Sequence, residues 1–475
     1  MPEYLRGKML TYDFSNISGP IYKELYQKIR QDILKGILKT GEKLPSKRSL
    51  AQNLGISTIT VENAYEQLIS EGYLYTQIKR GYFVSDIKKI ALPCTPKKTK
   101  LSISISKNKS YYFDFSSNNI EAKNFPFSVW AKLSRQVLSE MQDKVLQVSP
   151  GNGIEDLRNA IAEHLLSFRG MSVDPDQIII GAGTENLYET LIKIIGDKKN
   201  YCIENPGYIK IRKVYDINKV KYTFANLDKN GISIQELRKS KADIVHISPN
   251  HHFPTGITMP VSRRNEILNW ANEKNERYII EDDYDSEFRQ NGNPIPTLQS
   301  IDAYGKVIYM NTFSKSITST IRISYMVLPE HLANLYYKTL DFYSCPVPTF
   351  EQYTLSKFIS EGYFEKHINR MRLYYDRKRI SVLNILKKNL SDNECSIIES
   401  DSGLHLILKF NCKKSDAKLK AELLKKNINI NMLSEYYISP KEELSHMYLL
   451  NYSNINLERF EETVKILKEL MNNGN

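Results

Sequence analysis

The chain has no apolar run approaching the ~18 residues that suggest a membrane span, so no membrane-crossing segment is expected. Its start, Met1 to Met9, is polar and charged, without the pattern of a secretory signal. Cysteine is scarce: Cys94, Cys202, Cys345, Cys395 and Cys412 are scattered, odd in number and without C-x-x-C spacing. That argues against a disulfide framework or a zinc site and for a reducing cytoplasm. Internal repeats are absent as well.

What is present is the composition of soluble globular protein, 41% hydrophobic and 25% charged over 475 residues, a length for two or three domains. The formal charge is +12, and residues 1–110 hold 19 Lys/Arg against 9 Asp/Glu, leaving only +2 for the rest. Such an excess fits nucleic acid, a membrane surface or no partner at all, and it is a property of the N-terminal quarter.

Three regions separate by pattern. Residues 17–85 are dense in helical periodicity, 86–110 form a Lys/Ser/Pro linker without sustained period, and 111–475 alternate strand-length apolar runs with amphipathic helices. Strands are expected at Gln177–Gly181, Asn200–Glu204, Ile244–Ser248, Tyr278–Glu281 and Val307–Met310, each followed by Gly, Pro, Asn or acidic residues. This is the pattern of buried parallel strands in an α/β domain. The large domain divides into a main part of about 111–350 and a smaller C-terminal part of about 351–475.

In the first region, Ile21, Leu25, Ile29, Ile33 and Leu34 line one face of a helix expected over Ile21–Leu38. Ser46 caps a second helix from Lys47 to about Leu54, Gly55 breaks it, and Ser57 caps a third from Thr58 to about Glu71. Two short helices across a tight turn make a helix-turn-helix, and Tyr73–Val84, with Gly81 at its turn, reads as a two-stranded wing. A generic three-helix bundle with a solvated basic face fits the same pattern. The segments Leu44-Pro45-Ser46-Lys47-Arg48, Leu54-Gly55-Ile56-Ser57, Thr60-Val61, Ala64-Tyr65 and Glu71-Gly72-Tyr73 resemble the winged helix-turn-helix of GntR-family regulators. The resemblance implies double-stranded operator DNA as partner, with Lys47, Arg48, Ser57, Thr58, Thr60, and Lys79 and Arg80 of the wing in contact with it. Thr58 stands where the family commonly has Arg, so no bidentate guanine contact is available from that position.

In the large domain, Gly181-Ala182-Gly183-Thr184-Glu185-Asn186 ends a strand and opens a helix, a turn whose amides and dipole attract an anion. Asn205-Pro206-Gly207-Tyr208, Phe253-Pro254-Thr255-Gly256, Glu281-Asp282-Asp283-Tyr284 and Asn311-Thr312-Phe313-Ser314-Lys315, with Arg322 beyond, follow other strands, where α/β folds place ligands. With Phe125-Pro126, Trp130, Gly153 to Arg158 and Ser402-Gly403-Leu404-His405 these resemble a whole fold-type I aminotransferase domain, aspartate aminotransferase-like. The resemblance implies pyridoxal 5'-phosphate (PLP) on Lys315, the one residue expected to be catalytic. It also implies Asp282 at the pyridine nitrogen, with Asp283 as the alternative, Tyr284 at the ring hydroxyl and Tyr208 stacked on the ring. Gly183, Thr184, Glu185, Thr312 and Arg322 would surround the phosphate.

A GntR-like reader followed by such a domain is similar to the MocR-type regulators, a branch that includes a GABA-responsive activator and PLP-responsive regulators of vitamin B6 synthesis. The resemblance implies a homodimer that senses an amine, amino acid or B6 vitamer, with Lys210, His252 and Phe253 near the effector. A functional aminotransferase with a fused regulatory module is the alternative. Leu449 stands where aminotransferases carry the arginine that clamps a substrate carboxylate, Lys210 replaces a second arginine, and Val148 replaces a tyrosine that reaches the partner's cofactor. These departures count against turnover of ordinary amino acids. No metal site is expected.

Overall fold

A computed structural model describes residues 10–14, 19–87, 110–116, 120–288, 295–398, 403–439 and 444–472. The chain forms two compact units, Met1–Lys107 and Asn108–Asn475. Most of the expected linker, and Ser402, lie outside the described residues.

In the first unit, α1 (Ile21–Leu34) buries Leu25, Ile29 and Ile33, four residues apart on one stripe. It ends short of the expected Leu38, because the chain turns at Gly36, where φ is +74°. α2 (Lys47–Leu54) is capped by Ser46, whose Oγ accepts the Ser49 N–H at 3.2 Å, and is stopped by left-handed Gly55. α3 (Thr58–Ser70) buries Val61, Ala64, Tyr65 and Leu68, and the Tyr65 hydroxyl donates to the Pro45 carbonyl at 3.0 Å. Complete burial of such side chains is worth about 1.5–3 kcal/mol each relative to exposure. The wing pairs β1 (Leu74–Gln77) with β2 (Gly81–Val84) antiparallel, Leu74 opposite Val84. Its turn is Ile78–Arg80 with Lys79 at φ +59°, so Gly81 opens β2 instead of forming the turn.

The second unit begins with β3 (Phe113–Asp114) and contains an eight-stranded sheet. Its strands are β4 (Ile178–Gly181), β5 (Asn200–Asn205), β6 (Lys221–Asp228), β7 (Gly231–Ile232), β8 (Ile244–Ile247), β9 (Tyr278–Asp282), β10 (Val307–Thr312) and β11 (Ser324–Val327). The spatial order is β4-β11-β10-β9-β8-β5-β6-β7. Strands β10, β9, β8, β5 and β6 run parallel, β11 is antiparallel to both its neighbours, and β7 folds back on β6. All six residues of β10 are buried because both faces of the sheet are covered. Successive residues face opposite layers: Ile280 packs with Tyr188, Leu191 and Met310, while Ile279 packs with Trp270, Val245 and Val307.

A C-terminal lobe follows the helix Thr349–Ser360. It holds the long helix Tyr363–Asn389, then β12 (Cys395–Ile398), β13 (His405–Phe410), β14 (Ile428–Asn429), β15 (Asn431–Met432) and β16 (Met447–Asn451), closed by the helix Leu457–Asn472. Its antiparallel sheet runs β12-β13-β16-β15. β3, although near residue 111, pairs parallel with β14 of this lobe, Phe113 opposite Ile428. Tyr112 N–H donates to Asn427 O at 2.8 Å, Phe115 N–H to Asn429 O at 2.9 Å, and Phe113 stacks on Phe460. Among the described residues no helix is long and apolar enough to cross a membrane, and the four described cysteines are buried and free.

Candidate functional site

The ends of β4, β5, β8, β9 and β10 open onto one cavity of about 210 Å³. Its wall carries Thr184, Glu185, Tyr208, Lys210, Phe253, Asp282, Tyr284, Thr312, Lys315 and Arg322, so ten of the residues expected from separate stretches of the chain meet there. A smaller cavity of about 70 Å³ shares Lys315, Tyr284 and Phe253 and extends to His405, Leu449 and Asn451.

The two adjacent aspartates have different surroundings. Asp283 accepts from buried Arg169 at 2.7 Å and from the Tyr309 hydroxyl at 2.7 Å, inside the packed core. Asp282 lines the cavity; its Oδ2 accepts from the Tyr188 hydroxyl at 2.5 Å and lies 3.7 Å from His246 Nε2. Its Oδ1 is buried and has no hydrogen-bond partner. A sealed carboxylate oxygen without a donor costs free energy unless a donor arrives. Tyr188 and His246 escaped the sequence reading, although Tyr188 sits four residues after Thr184 on the same helix and His246 near a strand end.

Lys315 stands on the short helix Phe313–Ser316, whose first turn is capped by Thr312 Oγ1 accepting the Ser314 N–H at 3.1 Å. Burial and, to a lesser degree, the Lys210 charge push its amine down to about 8, against the opposing pull of Asp285. An amine so placed is a better nucleophile near neutrality than an ordinary lysine.

Opposite it lies an anion cup. Gly183 (φ +93°) precedes the helix Thr184–Ile195, and a Cβ there would sit 1.9 Å from an Arg322 guanidinium nitrogen. Only glycine admits both that backbone and that close approach. Arg322 itself has φ +53° and donates to Glu185 Oε2 at 2.9 Å. Lys210 donates to Glu185 Oε1 at 3.2 Å. Burial tends to raise the Glu185 carboxyl, but its own backbone N–H, Arg322 and Lys210 hold it down at about 2. A carboxylate thus engages the two cations expected to meet phosphate and effector.

The remaining walls are aromatic and apolar. The Phe253 ring meets Tyr208 edge-on with centroids 5.9 Å apart, and also contacts His405 and Tyr436. Leu449 is buried with Ile407 and Leu433 beside Phe253 and Tyr436, so the place of a carboxylate-clamping arginine is filled by packing. Tyr284 donates or accepts at His251 Nδ1 (3.1 Å), which also meets Asp285. His252, expected near the effector, is not among the residues lining either cavity; it is buried, bonded to Thr255 Oγ1 at 2.8 Å and 3.5 Å from Glu204. Burial lowers its imidazole to about 3 and raises Glu204 to about 8.

In the first unit, Ser57 Oγ caps α3 by accepting the Thr60 N–H at 3.1 Å, and its hydroxyl meets Thr60 Oγ1 at 2.8 Å. Ser57 and Thr60 therefore serve first to start the helix. Lys47 is half-buried and hydrogen-bonded to Glu62, whereas Arg48, Thr58, Lys79 and Arg80 are exposed. Among the described residues no cluster of ligating side chains suits a metal ion.

The sequence matches the family "Aminotransferase class I and II" over residues 111–444 and "Bacterial regulatory proteins, gntR family" over 21–84. It is 35% identical over 455 residues to the uncharacterized HTH-type transcriptional regulator YdeL of Bacillus subtilis (94% of this chain, 96% of that protein). It is 29% identical to the probable rhizopine catabolism regulatory protein MocR of Rhizobium meliloti (94% and 93%). Kynurenine aminotransferase of Pyrococcus horikoshii superposes with a TM-score of 0.67 at 22% identity over 76% of this chain and 91% of its own, a likeness of fold. Fold and site together define the class: a winged helix-turn-helix reader joined to an aminotransferase-type domain. The chain belongs to the MocR-type branch of the GntR family of transcriptional regulators.

Proposed function

We propose that this regulator holds PLP at Lys315 and senses an amine, amino acid or B6 vitamer there, and that occupancy of the cavity changes its affinity for operator DNA. The unpartnered Asp282 Oδ1 carries the reading, because a protonated pyridine nitrogen is the donor it lacks. The Gly183 turn, Thr184, Thr312 and Arg322 would hold the phosphate, and Tyr208 and Tyr284 the ring. When bound, the cofactor supplies an aldehyde that captures primary amines reversibly. Tyr188 and His246 keep Asp282 oriented, and Lys315 presents an amine already depressed toward neutrality. The reader works from a cytoplasmic homodimer.

Purified full-length protein should show the visible absorption of a lysine-bound cofactor, lost in Lys315→Ala; wild-type protein that takes up no PLP would refute the reading. A second reading, with PLP itself as the signal, draws support from the Leu449 cluster, which leaves no arginine at the clamp position. Titrating apo-protein with PLP alone while following operator binding separates the two. Working transamination is disfavoured by the same cluster.

A further inference from the structure

The face that α3 turns outward has a chemistry of its own. Val61, Ala64, Tyr65 and Leu68 point into the core. Directly opposite lie Ile59, which is 68% exposed, and Asn63, four residues on and also exposed. Residues four apart stack along one side of a helix. An isoleucine this open in water, beside an amide, has no role in the packing of the unit.

Along its whole length α3 (Thr58–Ser70) carries no lysine or arginine. Guanine offers two acceptors in the major groove and is read best by a cationic fork, which this helix lacks. Adenine offers one acceptor and one donor, the complement of an asparagine amide, and its partner thymine adds a methyl group that favours apolar contact. Of the other polar groups near the start of α3, Glu62 is engaged with Lys47 and Thr60 with Ser57 in the cap, while Thr58 is exposed but carries a single hydroxyl, which bonds to any base and distinguishes none. Arg48, Lys79 and Arg80, outside α3, are left for phosphates.

We infer that α3 reads an A·T pair, Asn63 taking the adenine edge and Ile59 the methyl group of a thymine beside or within that pair. The inference rests on the DNA-reading role of the module but not on PLP.

The test uses the full-length protein and a pool of random-sequence duplexes. Selection should yield a half-site whose centre contains A·T pairs. Replacing the central adenine should weaken binding about ten- to a hundred-fold in the wild type, the range of one bidentate contact, and the Asn63→Ala variant should lose that preference. Replacing the key thymine by deoxyuridine removes only the methyl group and should cost roughly four-fold, the value of one buried methyl. Ile59→Ala should abolish this difference; both side chains are exposed, so the variants keep the fold. A selected half-site centred on G·C, or adenine and methyl preferences that survive the two substitutions, overturns the inference. Failure to select any sequence would instead overturn the role of the module as a DNA reader.

Discussion

The two units handle polar groups in opposite ways. On the reader, the groups suited to a partner are exposed: Thr58, Asn63, Lys79 and Arg80 face water, and capping hydroxyls are consumed within one helical turn. In the core behind the strand ends the polar groups are buried and cross-linked over long sequence distances, as in Arg169 with Asp283 and Tyr188 with Asp282. An exposed group retains hydration until a partner replaces it, so it is adaptable. A buried group must be satisfied in advance, so a carboxylate oxygen left unsatisfied in the cavity wall, as Asp282 Oδ1 is, is a place where a ligand can supply the donor.

That contrast can be broken most sharply at neighbouring aspartates. Asp283→Ala strands buried Arg169 and should cost about 3–5 kcal/mol, seen as a large fall in the melting temperature of the large unit. Asp282→Asn should leave melting of the cofactor-free protein nearly unchanged while weakening PLP binding roughly ten- to a hundred-fold, as for a lost hydrogen bond to a charged group; equal melting losses for both would erase the distinction. Ser57→Ala should remove about 1 kcal/mol from the reader alone, measured as a shift confined to the transition of that unit. The rate of PLP capture should rise with pH and level off above about 8, because the Lys315 amine is lowered from the ordinary lysine value and becomes free base as pH passes that point. A rise continuing to the ordinary lysine range would show that burial does not tune it. The smallest effect is expected at the wing: Arg80→Ala should weaken DNA binding uniformly across sequences and reduce the log–log salt slope by about 1.

How much could be read beforehand follows the same division. The reader was legible almost residue by residue, because caps at Ser46 and Ser57, the break at Gly55 and the apolar stripe of α1 are local signals. Gly81 suggests the wing turn, but Lys79 takes the left-handed position there. In the large unit the strands ending at the cavity were legible from their apolar runs, and the segments that meet there from their motifs. Asp282, the preferred of the two aspartates, does line the cavity, but what holds its neighbour Asp283 away was not legible, since it depends on Arg169, 114 residues away in the chain. The role of Glu185 was also hidden: its turn suggested amides for an anion, not a carboxylate already held by Arg322 and Lys210. Nor could His252 be placed, because adjacent histidines diverge only once His251 meets Asp285 and His252 turns inward.

The pairing of β3 with β14 settles what the end of the linker is tied to. Residues 112–115 are fastened to the lobe that carries His405 and Leu449, not to the eight-stranded sheet that carries Lys315. The segment is thus built into the wall of the smaller cavity, where Phe115 lies with His405 and Leu449. A ligand that also touched His405 or Leu449 would bear on the lobe that holds residues 112–115, whereas one held by the strand ends alone would not. The strength of a signal would then follow which wall the ligand touches, and a tight binder confined to the strand ends would be a silent one.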